Sequence, residues 1–145
     1  MEIKVLSADH KVAMRVLIKD VLEHQGLIAE FFWPEEMVGP ELATAEAVGV
    51  FHHEELVGFV LYRDIIQAWE ISLVVSHPRH RRAGYIKALL EHLIVAKGQE
   101  RELWLEVHEK NVKAQNLYEK LGFRRSGQRP KYYRDGATAY VYSCP

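Results

Sequence analysis

One stretch decides the fold: residues 103–123 read LWLEVHEKNVKAQNLYEKLGF. In its first five positions apolar residues alternate with Trp104 and Glu106, which is the period of a β-strand with one buried face. After Asn111, a residue suited to the cap of a helix, apolar residues recur three and four positions apart, and Gly122 follows the last of them. The stretch therefore predicts a strand followed by an amphipathic helix.

A second strand and helix precede this stretch. Residues 69–75 are largely β-branched and apolar, which predicts a buried strand. A helix is predicted to begin near Gly84 and to end at Lys97-Gly98. Its apolar stripe consists of Ile86, Leu89, Leu90 and Leu93. Strand, helix and strand in this order imply a right-handed crossover between two parallel strands.

Hairpins flank the strand–helix–strand unit on both sides. Residues 47–51 and 56–62 are β-branched and aromatic around a polar centre, which predicts one hairpin. Residues 123–142 predict two further strands, joined by a tight turn at Asp135-Gly136. Because hairpins pair antiparallel and the crossover pairs parallel, the sheet is expected to be mixed.

The N-terminal segment combines a strand with a helix. Residues 3–5 predict a short strand, and the following helix is expected to be capped at Ser7 or Asp9 and to end at Gly26. Residues 31–34, FFWP, stop any continuing helix at the proline. Their aromatic rings are predicted either to join the core or to line a groove.

Length and composition indicate one globular domain, spanning residues 1–145. The order of the predicted elements places it in the α/β (α+β) class, with a mixed central sheet flanked by helices. The chain has 48% hydrophobic residues, which excludes intrinsic disorder. Its 19 Lys and Arg against 20 Asp and Glu give a net charge of -1. Such a balance provides no overall field that attracts a polyanion, so neither nucleic acid nor a membrane is the expected partner.

The single cysteine, Cys144, cannot form an intramolecular disulfide. The first residues lack the apolar segment of a signal peptide, and no apolar run approaches the roughly 20 residues that span a bilayer. A cytoplasmic protein is expected, and both a monomer and a dimer are compatible with the sequence.

Residues 76–84, SHPRHRRAG, place three arginines between a buried strand and the N-terminus of a helix. Unpaired backbone N–H groups and the helix dipole favour an anion there, and arginine adds charge-assisted hydrogen bonds. A solvated surface loop is the alternative interpretation. His77 and His80 have the spacing of metal ligands, but with no cysteine partner and a proline between them no metal is expected.

Residues 70–98 and 103–123 resemble the cofactor-binding half of the GNAT superfamily of acetyl-CoA-dependent N-acetyltransferases. The loop signature of that superfamily, Arg/Gln-x-x-Gly-x-Gly/Ala, is matched by Arg81-x-x-Gly84. Residues 103–123, together with Tyr132-Tyr133, are more specifically similar to the RimI-type protein N-terminal acetyltransferases. The resemblance implies a strongly twisted sheet whose central strands splay apart, with the pantetheine arm of acetyl-CoA lying between them.

The resemblance also implies which residues bind the cofactor. Backbone groups of residues 73–75 are expected to contact the pantetheine and the thioester carbonyl, and Asn111 to contact the cofactor. The complete expected set is Leu73, Val74, Val75, Arg81, Arg82, Ala83, Gly84, Tyr85, Ile86 and Asn111. Ile86 departs from the signature, which has Gly or Ala: its side chain either restricts approach of the backbone to the pyrophosphate or begins the apolar stripe of the helix.

Three residues are expected to carry the chemistry. By resemblance, Glu106 is the general base, with Glu70 as the rival base, and Tyr118 protonates the departing thiolate. A solvent-facing strand glutamate and a core tyrosine are the structural alternatives for Glu106 and Tyr118. Tyr132 and Tyr133 either frame the acceptor peptide or are aromatic residues of an edge strand.

The leading hypothesis is an N-acetyltransferase that moves the acetyl group directly from acetyl-CoA to a primary amine, expected to be the α-amine of a protein or peptide. The alternatives are a small-molecule amine acetyltransferase and an acyl-CoA-binding protein without turnover. A nucleic-acid-binding module is disfavoured by the charge balance. No Ser-His-Asp or Cys-His arrangement is evident, so no covalent acetyl-enzyme is expected.

Overall fold

The computed structural model of the protein describes residues 1–23, 35–80 and 83–145. The predicted helix end at Gly26, the aromatic segment 31–34, and Arg81 and Arg82 lie outside the described residues. The strands and helices, in chain order, are β1 (Glu2–Val5), α1 (Lys11–Glu23), α2 (Glu35–Thr44), β2 (Glu46–His52), β3 (Glu55–Asp64), β4 (Ala68–Ser76), α3 (Tyr85–Ala96), β5 (Glu102–His108), α4 (Val112–Lys120), β6 (Arg124–Arg129) and β7 (Ala139–Cys144).

All seven strands form one mixed sheet in the order β1-β2-β3-β4-β5-β7-β6. The first four strands pair antiparallel, and so do β5, β7 and β6. The two halves meet at the parallel pair of β4 and β5, which α3 connects. The predicted crossover and mixed sheet are confirmed.

The central strands β4 and β5 separate after a short contact. They pair only from Ala68 with Glu102 to Glu70 with Trp104. Beyond that point Ser72 forms a bulge, because Leu61 and Tyr62 of β3 pair with Leu73 and Ile71 on either side of it. The strands therefore enclose a wedge in which backbone groups of β4 and β5 do not pair with each other, and the predicted splay is confirmed.

The helices cover the two faces of the sheet with separate cores. On one face α1 and α2 pack on β3 and β4, through Met14, Leu17, Ile18, Val21, Val38, Leu42, Phe59, Leu61, Leu73 and Val75 among others. On the other face α3 and α4 pack on the sheet, through Leu89, Leu90, Leu93, Leu103, Leu105, Val107, Tyr118 and Phe123 among others. Of the apolar stripe predicted for α3, Leu89, Leu90 and Leu93 are buried and Ile86 is partly buried, and Tyr85 is buried beside them.

The tail differs from the predicted tight hairpin. Strands β6 and β7 are joined by residues 130–138 rather than by a two-residue turn. Asp135 and Gly136 do form a turn inside this loop, where the Gly136 N–H donates to the Tyr133 carbonyl at 2.9 Å and Gly136 adopts φ +82°. The turn was therefore predicted at the correct residues, but it lies inside a longer loop and does not join the two strands directly.

Two absences concern the described residues. None of the helices in this part of the chain combines the length and hydropathy needed to cross a membrane. Within residues 1–23, 35–80 and 83–145, no three His, Cys, Asp or Glu side chains are arranged to hold a metal ion.

Candidate active site

Glu70 and Glu106 lie together on an open face of the sheet. Because Leu105 and Val107 are buried against α3 and α4, alternation directs Glu106 to the opposite face. Both carboxylates line a shallow groove of about 390 Å³ that runs across β5, β7 and β6, with Trp104 and Val141 also in its wall. The structure thus brings the two predicted bases to the mouth of the wedge.

Arg129 is a groove residue that the sequence analysis missed. Its Nε lies 3.2 Å from Oε1 of Glu106, although its own side chain is 59% exposed. In the sheet β7 lies between β5 and β6, so the Arg129 side chain of β6 reaches Glu106 of β5 across β7. Nothing in the local sequence signals a contact across two strand pairings.

Tyr118 lies on the other face of the sheet, on α4. Its side chain is buried, with its ring centroid 5.8 Å from that of Phe123 and 6.2 Å from that of Tyr142. Burial raises the pKa of Tyr118 to about 12, so the phenol keeps its proton at physiological pH. The residue thus belongs to the core and also presents a protonated hydroxyl, so the two interpretations of the sequence are compatible.

Two tyrosines of the β6–β7 loop stand next to Glu106. Burial raises the pKa of Tyr132, and the Glu106 carboxylate, which accepts a hydrogen bond from the Tyr132 hydroxyl, raises it further. Burial raises the pKa of Tyr133 well above its usual range, and the Glu106 carboxylate raises it further.

The residues expected to hold the cofactor surround the wedge and the start of α3. Leu73 and Val75 bury their side chains, while their strand has no β5 partner at this point. Gly84 is the N-cap of α3 with φ +79°, and a Cβ placed on it would contact nothing within 4 Å. Open space and unpaired amides at a helix N-terminus suit an anion. Ala83 is exposed beside Gly84, whereas Tyr85 is buried.

Ile86 points towards the core. Its Cδ1 lies 3.4 Å from the position that a Cβ on Gly58 would occupy, and the side chain packs against the core beneath α3. This geometry favours the interpretation that Ile86 begins the apolar stripe.

Asn111 has a structural role that the structure shows directly. Its Oδ1 accepts a hydrogen bond from the Ala114 N–H at 3.3 Å and caps α4. The cap uses the side-chain oxygen, which leaves the amide NH₂ group for a second partner.

Among the described residues of the segment 76–84, His77 has a structural role. His77 is buried, its N–H donates to the Val57 carbonyl at 2.8 Å, and its Nδ1 accepts from the Arg79 N–H at 3.1 Å. Burial and the neighbouring His80 lower the pKa of His77. His77 therefore shapes the turn that precedes α3.

Comparison with known proteins agrees with the fold. The model of the acetyltransferase (GNAT) family matches residues 18–123, and the chain belongs to this family. The chain is similar to [ribosomal protein bS18]-alanine N-acetyltransferase of Escherichia coli K12, with 35% identity over 81 residues. That match spans 54% of this chain and 55% of the Escherichia coli enzyme, about half of each.

One further relative and one solved structure match over more of the chain. The N-alpha-acetyltransferase RimI of Mycobacterium tuberculosis is 33% identical over 128 residues, which cover 83% of this chain and 80% of the relative. The crystal structure of the ribosomal-protein-S18-alanine N-acetyltransferase from Escherichia coli superimposes with a TM-score of 0.84 at 26% identity, covering 99% of this chain and 92% of that one.

Proposed function

We propose that this protein transfers the acetyl group of acetyl-CoA to the α-amine at the N-terminus of a protein or peptide. One observation carries the proposal: two carboxylates, Glu70 and Glu106, line an open groove where the pairing of β4 with β5 ends. Membership of the GNAT family and similarity to N-terminal acetyltransferases support it.

The residues around the wedge fit acetyl-CoA. The backbone groups of Leu73 to Val75 have no β5 partner on one side. They would hydrogen-bond the pantetheine arm as they would a neighbouring strand. The loop from Arg81 to Ile86, with the open space at Gly84, would hold the pyrophosphate. Acetyl-CoA supplies an acetyl group activated as a thioester.

Acetyl transfer needs a base for the acceptor ammonium and an acid for the departing thiolate. Glu106 removes a proton from the acceptor ammonium, and the neutral amine attacks the thioester carbonyl directly. As the C–S bond breaks, Tyr118 donates its proton to the departing thiolate. Glu70 lines the same groove and is the alternative base.

The shape of the groove favours a chain as acceptor. The groove is open along its length, so an extended peptide can enter with its N-terminus at Glu106. An α-amine has a pKa of about 7.7–8.0 and a lysine amine about 10.4, so a carboxylate base can deprotonate the former far more readily.

A thiol-release assay tests the proposal. The protein with acetyl-CoA is offered peptides with free N-termini, the same peptides with blocked N-termini, polyamines and aminoglycosides. We expect free CoA thiol only with free N-termini. Release with small amines alone would indicate a small-molecule acetyltransferase, and thermal stabilisation by acetyl-CoA without any release would indicate an acyl-CoA-binding protein.

A further inference from the structure

His108 is a buried polar residue of β5 that the proposed chemistry does not use. It lies two residues after Glu106, so both side chains are directed to the same face of the strand. Only 1% of its surface is exposed. Its Nδ1 accepts a hydrogen bond from the Lys110 N–H at 3.1 Å, and its Nε2 lies 2.8 Å from Oδ2 of Asp135. The first contact assigns the proton of the neutral ring to Nε2, which donates to Asp135.

Asp135 connects His108 to the β6–β7 loop. Its second oxygen, Oδ1, accepts from the Ala137 N–H at 2.9 Å. The Ala137 carbonyl accepts from the Tyr133 N–H at 3.2 Å, and the Tyr133 carbonyl accepts from the Gly136 N–H at 2.9 Å. One carboxylate thus fixes the turn that follows Tyr133 and anchors that turn to the sheet.

The His108 ring also supports the Tyr133 ring directly. The two centroids are 4.6 Å apart, with 32° between the ring planes. Because Glu106 and His108 project from the same face of β5, the Tyr133 ring is thereby held on the face that carries Glu106. A loop tyrosine without such support loses rotamer and backbone entropy each time it makes a contact, which weakens that contact.

We infer that His108 and Asp135 are positioning residues that hold Tyr133 on the face of β5 that carries Glu106, where the Tyr133 hydroxyl donates a hydrogen bond to the acceptor. This inference rests on the proposed function, and it adds to it the pair of residues that orients a tyrosine of the β6–β7 loop. A phenol is protonated at neutral pH and can therefore act as a donor.

A double-mutant cycle tests the inference. The variants are Tyr133→Phe, Asp135→Asn and the combination, assayed with the best acceptor from the thiol-release panel. We expect each single variant to raise the acceptor KM about 3- to 10-fold, the value of one hydrogen bond, with kcat and the acetyl-CoA KM changed less than twofold. The double variant should match Tyr133→Phe alone, because Asp135 then has no hydroxyl to position.

Additive effects in the double variant, or an unchanged acceptor KM in Asp135→Asn, would overturn the inference. The matched control is Asp64→Asn, since Asp64 likewise accepts from a backbone N–H in a turn, that of Ile66 at 2.9 Å, away from the groove. His108→Phe keeps a ring against Tyr133 but removes the donor to Asp135, and it should behave as Asp135→Asn does. If the buried site does not tolerate it, Asp135→Asn at the protein surface still carries the test.

Amide hydrogen exchange separates this inference from the proposed function. Asp135→Asn should speed exchange at the Tyr133 and Ala137 amides relative to the wild type and to Asp64→Asn. If no amine is acetylated, the proposed function fails, and unchanged exchange at these two amides would refute the positioning pair independently.

Discussion

An acceptor amine that binds Glu106 must displace Arg129, which forms an ion pair with the Glu106 carboxylate. The Arg129 guanidinium lies 3.2 Å from the carboxylate, but its side chain is largely exposed, and exposed pairs contribute only about 0–1 kcal/mol. An incoming ammonium can therefore replace the guanidinium at small cost. Arg129 orients the carboxylate while the groove is empty of acceptor.

Glu106→Gln should lose most activity at low pH. Below about pH 7.5 the acceptor is an ammonium that needs a base, whereas above about pH 8 part of it is already neutral. We expect kcat/KM to fall about 100-fold or more at pH 6.5 and much less at pH 9, as measured by thiol release. The matched control is Glu70→Gln in the same groove. If Glu70→Gln shows this pH-dependent loss and Glu106→Gln does not, Glu70 is the base.

Tyr118→Phe tests the acid separately from binding. The variant keeps the ring that packs on Phe123 and Tyr142, so the fold should persist. Without the phenol proton, thiolate departure should slow and kcat should fall about 100-fold, with the acetyl-CoA affinity nearly unchanged. Steady-state kinetics and direct binding measure the two quantities. An unchanged kcat would leave Tyr118 as a core residue alone.

At the scale of elements, α4 combines a cap with a predicted cofactor contact. Asn111→Asp keeps the oxygen that accepts from Ala114, and a carboxylate near a helix N-terminus is favourable, so the melting temperature should hold. The variant loses the amide donors and adds a negative charge near acetyl-CoA. We expect the acetyl-CoA KM to rise about 3- to 10-fold, the value of one hydrogen bond. A lower melting temperature with an unchanged KM would restrict Asn111 to capping.

A second link between elements attaches α2 to the bulge in β4. Glu41 of α2 accepts from Arg63 through both oxygens, at 3.0 and 2.8 Å, and from the Ser72 hydroxyl at 2.8 Å. Burial alone would raise the pKa of Glu41, but the hydrogen bonds from Arg63 and Ser72 and the Arg63 charge outweigh it, so the pKa is lowered. The link therefore holds α2 at the bulge that opens the wedge.

Glu41→Gln should destabilise the fold in a pH-dependent way. Because the folded-state pKa of Glu41 is lowered, its stabilisation is present above the unfolded pKa of about 4.3 and is lost as pH falls through the folded value. At pH 7 we expect a loss of about 1–2 kcal/mol and about 2–8 °C in Tm. Thermal melts at pH 7 and pH 3 provide the comparison, and an equal loss at both values would contradict the charge argument.

Local patterns predicted the elements but not the contacts between distant ones. Three predicted features depend only on residues close in sequence: the alternation in β5, the helical spacing in α3 and the Asn111 cap. The structure confirms them. The ion pair of Arg129 with Glu106 and the anchoring of Asp135 by His108 depend on strand order and loop packing. For the same reason the tight connection predicted at Asp135-Gly136 was wrong: β6 and β7 pair antiparallel as predicted, but residues 130–138 join them.

At the scale of the molecule, the sheet consists of two antiparallel halves joined by three residue pairs between β4 and β5. The groove and the wedge both lie at this junction, so the proposed acceptor and acetyl-CoA would meet where the halves separate. The resemblance seen in sequence was strongest in the C-terminal half, whereas the structural similarity extends over 99% of the chain. The fold of the first half is thus shared even where its sequence has diverged.

If acetyl-CoA lies in the wedge like a strand of the sheet, as proposed, its binding should stabilise the folded protein. At 100 times its dissociation constant a ligand of the native state adds about 2.7 kcal/mol, or about 5–10 °C in Tm for a domain of this size. Adenosine 3',5'-bisphosphate, which lacks the pantetheine arm, should stabilise far less at equal concentration, because without the arm it binds more weakly, and equal stabilisation would contradict strand-like binding. In a cell, bound acetyl-CoA would then protect the protein from proteases, which act on the unfolded chain.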